Sequence, residues 1–472
     1  MRRLRAAFVL GFDGNRHRMI RDGVVEVTDD GRLGYVGPAK DYAGSLDAVE
    51  DTGHTLIAPG LINLHCHAAG APLGRSIAED AGNPAFFMSG LYDTGTIRAT
   101  SDEETRDVLA YSLAELIRSG VTTVVDVGGA PWVDVFQRVG LRSVLVPSYR
   151  SAAWEVKDGR SLTYQWDEAA GLEGLDQAHT WLQAHHDPEG LITGMLGPAQ
   201  VDTCSEELLR ATRDLAERLN CRITIHAAQS HTEVGVMLQR HKMSALEYLD
   251  SVGLLGPDVI VAHAILNASH PDSNIAWSRD IELLRDRGAH IAHCPWVFGR
   301  RGTMMHSLGA YRRQGINVGI GTDTCPQDML REMLFAVVLS KAAENHPLSV
   351  TAGDVVEAAT LAGARALGRQ DLGRLETGAQ ADLILVDCDH PSMAPVRDPL
   401  RSLIYGGGSR AVQSVMVAGR WLMEDYSVHG LDETALSRRV QAIGERIWRE
   451  APQRDAMGRT VDEIAPPSVP WW

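Results

Sequence analysis

Apolar residues fall into short runs along the chain, and over its central part these runs alternate with amphipathic stretches. A run such as Leu141–Val146 predicts a buried strand, whereas the helical spacing of apolar residues in Thr105–Ser119 and Ser205–Leu219 predicts helices. The predicted strands of this part are Leu61–Leu64, Thr122–Val127, Leu141–Val146, Ile192–Leu196, Cys221–His226, Val259–His263, His290–His293 and Val318–Asp323. Strands that alternate with helices in this way predict an α/β fold, a (β/α)8 TIM-like barrel, with a doubly wound sheet as the alternative.

Both ends of the chain show a different pattern, that of short strands separated by tight turns. The N-terminal strands are predicted at Ala7–Leu10, Val24–Thr28, Leu33–Val36 and Thr55–Ala58, and further strands at Ala381–Asp387 and Val412–Trp421. Neither set is large enough for a stable sheet, so we expect them to pair in one small β-sandwich domain. The predicted boundaries are residues 1–58 and 373–425 for this domain, 59–372 for the barrel and 426–472 for a C-terminal helix (Asp432–Glu450) and tail.

Charge and cysteine content narrow the class of protein. A formal net charge of −16 argues against nucleic-acid or anionic-membrane partners, which need a basic surface. No apolar run approaches the ~20 residues that cross a bilayer, and the basic and apolar N-terminus continues into strand pattern, so it is interpreted as a first strand. The six cysteines are dispersed without a CxxC pair, which favours reduced thiols in a cytoplasmic enzyme.

Histidine and aspartate recur at the ends of the predicted strands. His65 and His67 lie at the end of the first predicted strand. Because alternate residues of a strand share one face, both imidazoles are expected to point the same way. His226, His263 and Asp323 end the fifth, sixth and eighth strands, and all these ends open at one mouth of a barrel. This recurrence at one end of the strands is why the barrel is preferred to the doubly wound sheet.

Three neutral imidazoles and one carboxylate around an open position are typical of a hydrolytic divalent-metal site. A metal in such a site lowers the pKa of its bound water to ~7, so the attacking species is predicted to be a metal-bound hydroxide. Asp323 would take the proton of that water, and His263 would hold the attacking oxygen or polarise the substrate.

The motifs PGLINLHCH, ITIHAAQ, VIVAHA, HIAHCP and VGIGTD, followed by GARALG and LETGAQADLILVD, resemble the amidohydrolase superfamily, in particular its triazine-hydrolase, cytosine-deaminase and guanine-deaminase branch. The resemblance covers about residues 6–425. It implies His65, His67, His226 and Asp323 as metal ligands and His263 as a catalytic histidine. It also implies zinc, with iron or another divalent metal as alternatives, and a homodimer or higher homo-oligomer. Because Ile192–Leu196 contains no lysine that could become a carboxylated bridge, one metal ion is expected.

One position departs from the deaminating members of this branch. They have H-x-x-E after the fifth strand, whereas here the segment is His226-Ala227-Ala228-Gln229. An amide does not carry a transferable proton near neutral pH, so Gln229 predicts either that Asp323 and His263 do all the proton transfer or that the leaving group needs little protonation. His231, two residues further on, is a weaker candidate for the missing acid.

Aromatic residues and methionines gather in segments that follow predicted strands, which favours an apolar substrate pocket. The candidate pocket residues are Phe87, Tyr92, Trp154, Trp166, Trp296 and Met304. With Gln229 they predict a hydrolase that cleaves a non-peptide C–N (or C–S) bond of a small, largely apolar urea, carbamate or thiocarbamate. The alternatives are a deaminase or dechlorinase of an aminated N-heterocycle (triazine, pyrimidine, purine or pterin) and, from another class, an inactive scaffold that keeps the fold.

Overall fold

The computed structural model describes residues 1–92 and 99–472. Its strands are β1 (Arg2–Phe12), β2 (His17–Val27), β3 (Leu33–Pro38), β4 (Glu50–Asp51), β5 (Thr55–Pro59), β6 (Leu61–Cys66), β7 (Val121–Val127), β8 (Arg142–Val146), β9 (Ser148–Tyr149), β10 (Ala152–Glu155), β11 (Thr163–Trp166), β12 (Ile192–Gly194), β13 (Gly197–Pro198), β14 (Ile223–Ala227), β15 (Val259–His263), β16 (His290–His293), β17 (Asn317–Ile320), β18 (Leu383–Asp387), β19 (Val412–Val417), β20 (Arg420–Glu424) and β21 (Ser427–Val428).

The helices are α1 (Asp102–Arg118), α2 (Val133–Val139), α3 (Glu168–His185), α4 (Glu206–Leu219), α5 (His231–His241), α6 (Ala245–Ser251), α7 (Asp280–Arg287), α8 (Pro295–Gly299), α9 (Leu308–Arg313), α10 (Met329–Glu344), α11 (Ala352–Glu357), α12 (Gly363–Ala366), α13 (Pro399–Ser402), α14 (Glu433–Arg454) and α15 (Val461–Ile464). None of the helices in these two described ranges is long and apolar enough to span a membrane.

The two ends of the chain form one sheet, in the order β21-β20-β19-β18-β5-β1-β2-β3, with β4 beside β1. They meet where β18 pairs antiparallel with β5, with Leu385 opposite Ile57. Strands β1 and β2 are 11 residues long, longer than the pattern predicts. Cross-strand pairs explain their length, because Arg3 lies opposite Glu26 and binds its carboxylate at 2.9 Å.

The barrel contains eight parallel strands in two runs, β6-β7-β8-β12 and β14-β15-β16-β17. A bridge between Leu196 and Ile223 joins the runs on one side, and a bridge between Cys66 and Asp323 joins them on the other. Gly60 lies between sheet strand β5 and barrel strand β6, and a Cβ atom there would lie 2.1 Å from Thr122 Oγ1. Only glycine therefore lets the chain enter the barrel at this point. The predicted fold class, a TIM-like barrel with a β-domain built from both ends, is confirmed.

The C-terminal helix packs along the outside of the barrel. Helix α14 continues to Arg454, beyond the predicted Glu450, and buries Ile443 and Ile447 against Val108 of α1. An ion pair between Arg446 and Glu104 (2.8 Å) closes the same contact. All six cysteines are free thiols, as their spacing predicts.

Candidate metal centre

The structure brings together the five residues that the strand-end pattern singles out. His65 and His67 lie at the end of β6, His226 on β14, His263 at the end of β15 and Asp323 just after β17. Within this cluster two groups of three residues each have their ligand atoms within 4.8 Å of one another. They share His65: the first adds His67 and His226, and the second adds His263 and Asp323. His65 is fully buried and Asp323 is 9% exposed, so this cluster lies inside the mouth of the barrel.

The hydrogen bonds of two histidines define which of their ring nitrogens carry hydrogen. His67 Nδ1 lies 3.0 Å from the carbonyl oxygen of Val127, and His226 Nδ1 lies 2.6 Å from that of Ala199. A carbonyl only accepts, so both Nδ1 atoms carry hydrogen and the Nε2 atoms of the neutral rings present lone pairs. These two Nε2 atoms face each other at 3.2 Å. Facing lone pairs repel unless a cation lies between or beside them, so the donors fit a metal ion.

His65 and Asp323 complete the set of donors. Neither ring nitrogen of His65 has a hydrogen-bond partner among the described residues, although both are buried. Its Nε2 lies 3.7 Å from Asp323 Oδ1, which is 3.5 Å from His67 Nε2. A buried polar atom without a partner is costly, and a metal ion would satisfy it. Three imidazoles and a carboxylate are the donor types that zinc prefers.

Burial controls the protonation of the cluster. It lowers the pKa of His226 to about 4, and it also lowers the pKa of His65 and His263. Burial alone would raise the pKa of Asp323, but the imidazole of His65 beside it, together with those of His263 and His67, holds that pKa well below its ordinary value. Neutral imidazoles beside an ionised carboxylate are the protonation states that metal binding requires.

The backbone is strained at the same residues. His263 has φ +76° and Asp323 has φ +53°, a left-handed conformation that side chains other than glycine rarely adopt. Each such residue costs on the order of 1–3 kcal/mol, which the surrounding contacts must offset. The backbone N–H groups of Thr322 and Asp323 donate to His65 O at 3.0 and 2.9 Å, and that of His67 donates to Asp323 O at 2.7 Å. These bonds hold the carboxylate beside the two histidines of β6.

Asn63 fixes the strand that carries the first two histidines. Its Oδ1 accepts from the backbone N–H of Thr322 at 3.1 Å and from that of His65 at 3.2 Å, and its Nδ2 donates to Thr322 Oγ1 at 2.7 Å. One buried amide therefore sets the spacing between β6 and the segment after β17. The sequence analysis does not single out Asn63, since an asparagine inside an apolar strand carries no spacing signal of its own.

Gln229 lies just after β14, and a buried carboxyl group holds the turn around it. Glu233 of α5 accepts hydrogen bonds from the backbone N–H groups of Ala228 and Gln229 (3.3 Å for Gln229) and from Gln200 Nε2 at 3.3 Å. Burial, and next the charge of Asp202, raise the pKa of Glu233 to about 8. The sequence analysis missed Glu233, although its place four residues after Gln229 would have indicated that both reach the same turn.

Gln229 lines a small cavity of about 30 Å³ at the mouth. Phe87 lines the same cavity, at the tip of a loop where it is 66% exposed and contacts the ring of His231. Phe298, also in the lining, contacts the ring of His263 at 4.6 Å. The cavity holds about one water molecule, so a substrate that enters here has to displace loop side chains.

The other candidate pocket residues have different surroundings. Tyr92 is buried and its hydroxyl bonds Ser230 Oγ at 2.6 Å, while Trp154 packs on Tyr92 and donates to Asp202 Oδ2 at 3.0 Å. Trp166 is 45% exposed beside Arg240, and Met304 contributes a backbone carbonyl to His270. Trp296 lines a separate cavity of about 850 Å³ beneath the C-terminal tail. Of the six, Phe87 is the one that shares the small cavity with Gln229.

Comparison with known proteins places the chain in a family. Residues 56–422 match the model of the amidohydrolase family. The chain belongs to that family. The predicted resemblance is thereby confirmed, and with the donor set described above it makes this protein a metal-dependent hydrolase of C–N bonds other than peptide bonds.

Three relatives of this amidohydrolase show what similar proteins do. A 5′-deoxyadenosine deaminase from Methanosarcina mazei is 29% identical, over 94% of this chain and 98% of that protein. An adenosine deaminase structure from Xanthomonas campestris with bound zinc is 25% identical, with a TM-score of 0.81, and covers 94% of this chain and 98% of that one. A Glu-to-Gln mutant of atrazine chlorohydrolase from Arthrobacter aurescens, complexed with zinc and atraton, is 24% identical with a TM-score of 0.80, over 94% of this chain and all (100%) of that one.

Proposed function

We propose that this amidohydrolase is a hydrolytic deaminase of an aminated N-heterocycle, with the adenine ring of a small nucleoside as the substrate class to test first. The convergence of His65, His67, His226 and Asp323 beside His263 carries the proposal. The activities of the deaminase relatives favour this alternative over the urea-, carbamate- or thiocarbamate-cleaving activity that the sequence predicts first.

The proposed chemistry replaces a ring C–NH₂ group by C–OH, with water consumed and ammonia released. We assign His65, His67, His226 and Asp323 as the ligands of one divalent metal ion, which supplies a water-derived nucleophile near neutral pH when bound. Asp323, held ionised, accepts the proton that the attacking water loses and returns it to the departing amine. His263, neutral and buried, hydrogen-bonds the oxygen that adds to the ring.

Gln229 is assigned to binding and not to proton transfer. Its amide can donate to one ring nitrogen and accept from a second group, but it cannot deliver a proton to ammonia. A single proton carrier at Asp323 therefore has to serve both steps of the reaction. This feature favours the second candidate function, cleavage of a urea, carbamate or thiocarbamate whose leaving group departs with little protonation. The predicted homo-oligomer and cytoplasmic location stay predictions.

Turnover of two substrate panels separates the two functions. In the first panel the zinc-loaded enzyme is given adenosine, 5′-deoxyadenosine and aminotriazines, and the release of ammonia is measured. In the second panel it is given phenylureas and thiocarbamates, and the release of amine or thiol is measured. Ammonia from the first panel supports the deaminase. Products from the second panel alone would overturn it in favour of the second candidate.

Gln229→Glu tests the assignment of the amide. A carboxyl group at this position adds a proton carrier, and positioned acid–base groups contribute about 10²–10⁴-fold. We expect ammonia release to rise by at least about 10-fold in this variant. Gln239→Glu, at an exposed position of helix α5, adds the same charge outside the site and should leave the rate unchanged. An unchanged or lower rate in Q229E would show that Gln229 does not limit proton transfer.

A further inference from the structure

A third cavity lies at the opposite end of the barrel from the metal centre. Its volume is about 540 Å³, within the range of small-molecule sites. Thr123, Val144 and Thr193, which line it, lie in the first three residues of β7, β8 and β12, and Arg222 directly precedes β14. The histidines and Asp323 lie at the carboxyl ends of their strands, so nothing in the proposed reaction uses this cavity.

Four arginines line this cavity, and three of them are neutralised. Arg142 is paired with Asp382 at 2.8 Å, Arg369 with Asp371 at 2.8 Å, and Arg213 with both oxygens of Asp258. Glu217, which also lines the cavity, is a second carboxylate beside Arg213, 3.4 Å from its Nε, so the three positions leave no positive charge for a ligand to neutralise.

Arg222 is the fourth, and it has no carboxylate within ion-pair distance among residues 1–92 and 99–472. Its Nη1 donates to two backbone carbonyls, those of Ala366 at 2.8 Å and Pro257 at 3.2 Å. The remaining donors, Nε and Nη2, have no protein acceptor in the same described ranges. Burial lowers the pKa of this guanidinium, yet arginine stays charged at every physiological pH. A half-buried charge with free donors is costly, and an anion would offset that cost.

A glycine makes room for the Arg222 side chain. Gly368 has φ +68°, and a Cβ atom there would lie 2.3 Å from Arg222 Nη2. The guanidinium therefore packs directly on the backbone at the edge of the cavity. Any larger residue at 368 would force it away.

The rest of the lining indicates what kind of anion would fit. The larger apolar side chains in it are those of Val144, Met195, Leu367 and Leu372. His186 adds a donor, because its Nδ1 accepts from the backbone N–H of Gly194 at 3.0 Å and the neutral ring then carries its hydrogen on Nε2. An arginine fork beside apolar walls suits a planar carboxylate attached to an apolar body better than a compact, fully hydrated ion.

We propose that this cavity binds a small monocarboxylate with an apolar body, with its carboxylate on Arg222 Nε and Nη2 and its apolar part against Met195, Leu367 and Leu372. Such a ligand would connect the starts of several barrel strands with the segment after α12. It would thereby stabilise the native state in proportion to its occupancy. The site does not depend on the proposed function, since it shares no residue with the metal centre.

Benzoate is the probe, titrated into the full-length, zinc-loaded enzyme and followed by calorimetry and by the thermal midpoint of unfolding. Benzyl alcohol has the same ring without the charge, and inorganic phosphate has the charge without the ring. We expect saturable binding of benzoate alone. Tighter binding of phosphate than of benzoate, or equal binding of benzyl alcohol, would overturn the proposed ligand class, and absence of saturable benzoate binding would overturn the site.

Substitutions locate the binding. Arg222→Gln should weaken benzoate binding by at least about 10-fold, the scale of one charge-assisted pair. Arg365→Gln, at an exposed position that does not line the cavity, should leave binding unchanged. Leu367→Trp fills the cavity, leaves the charge of Arg222 in place and should also abolish binding. This second variant keeps the test valid if R222Q does not fold. Equal affinity in the wild type and both cavity variants would place benzoate elsewhere, for example on the metal ion.

Discussion

At the scale of single residues, the function of each histidine depends on what its second nitrogen contacts. His67 and His226 direct Nδ1 at carbonyl groups, which leaves Nε2 for a cation. His290, at the other end of the barrel, uses both nitrogens within the protein: Nε2 donates to Pro257 O at 3.1 Å and Nδ1 accepts from Asn317 Nδ2 at 3.1 Å. In the sequence His67 and His226 come at the ends of predicted strands whereas His290 begins one, and the contacts of their second nitrogens agree with that difference.

His290 should make stability depend on acid pH. Burial lowers its pKa to about 4, and a second proton would point N–H at the amide of Asn317. The unfolded chain, with a histidine pKa near 6.5, therefore binds more protons than the native state between about pH 6.5 and pH 4. The free energy of unfolding should fall as pH decreases through this window.

Urea unfolding of the zinc-loaded enzyme at several pH values measures the effect. His290→Gln should reduce the slope of the free energy of unfolding against pH by up to about 1.4 kcal/mol per pH unit, the value for one proton. His346→Gln, in an exposed segment, controls for the removal of a histidine as such. Identical slopes in wild type and H290Q would show that His290 is not held neutral.

At the scale of elements, the barrel strands follow the apolar runs closely, because a fully buried parallel strand has to be apolar on both faces. The strands of the terminal sheet extend further than their apolar runs, since Arg3 and Arg5 project from β1 and pair with Glu26 and Asp22 of β2. Such cross-strand pairs cannot be recognised before the register is known. The same holds for Asn63, whose partners come from the opposite end of the barrel sequence.

Substitution of Gly321 tests how closely the elements of the metal centre are packed. A Cβ atom at this position would lie 2.9 Å from the Cβ and O atoms of His65, so Gly321→Ala forces β6 away from the segment that carries Asp323. We expect a loss of about 1–3 kcal/mol in stability, typical of overpacking, and less than one zinc per chain by elemental analysis.

Gly235→Ala is the matched control for that substitution. Gly235 lies in helix α5, and nothing lies within 4 Å of a Cβ atom there. The Gly235→Ala variant should keep its zinc, and its free energy of unfolding should rise by up to about 1 kcal/mol because alanine has the better helix propensity. If G321A also bound zinc fully, the spacing between the two segments would not matter to the site.

At the scale of the whole molecule, the sheet and the barrel are joined by a buried ion pair. Arg142 begins barrel strand β8 and Asp382 directly precedes sheet strand β18, with Nε to Oδ2 at 2.8 Å and side chains that are 4% and 3% exposed. Asp382 also accepts from the backbone N–H of Ala418 at 2.7 Å, and Arg142 donates to Gln380 Oε1 at 3.1 Å. The two ends of the chain are thereby fixed to the base of the barrel.

Asp382→Asn should destabilise the protein by about 3–5 kcal/mol, because it leaves a buried arginine charge without its partner. Chemical denaturation followed by circular dichroism measures the loss. The double variant Arg142→Met with Asp382→Leu removes both charges and should be more stable than D382N, since it leaves no unpaired group. A double variant as unstable as the single one would mean that the pair contributes geometry that apolar side chains cannot replace.

The sequence by itself determined the barrel, the union of the two chain ends and the residues of the metal centre, because burial imposes a periodic pattern and metal ligands occupy strand ends in a recognisable order. Tertiary structure alone decided where loop side chains point. Trp296 and Phe87 look equivalent as loop aromatics, yet one lines the cavity under the tail and the other the cavity beside Gln229. Loop direction depends on contacts between segments distant in sequence, and no local periodicity encodes those contacts. For the same reason Arg222, which has no carboxylate partner in the part of the chain that the structure describes, could be identified only after folding had paired the other three arginines.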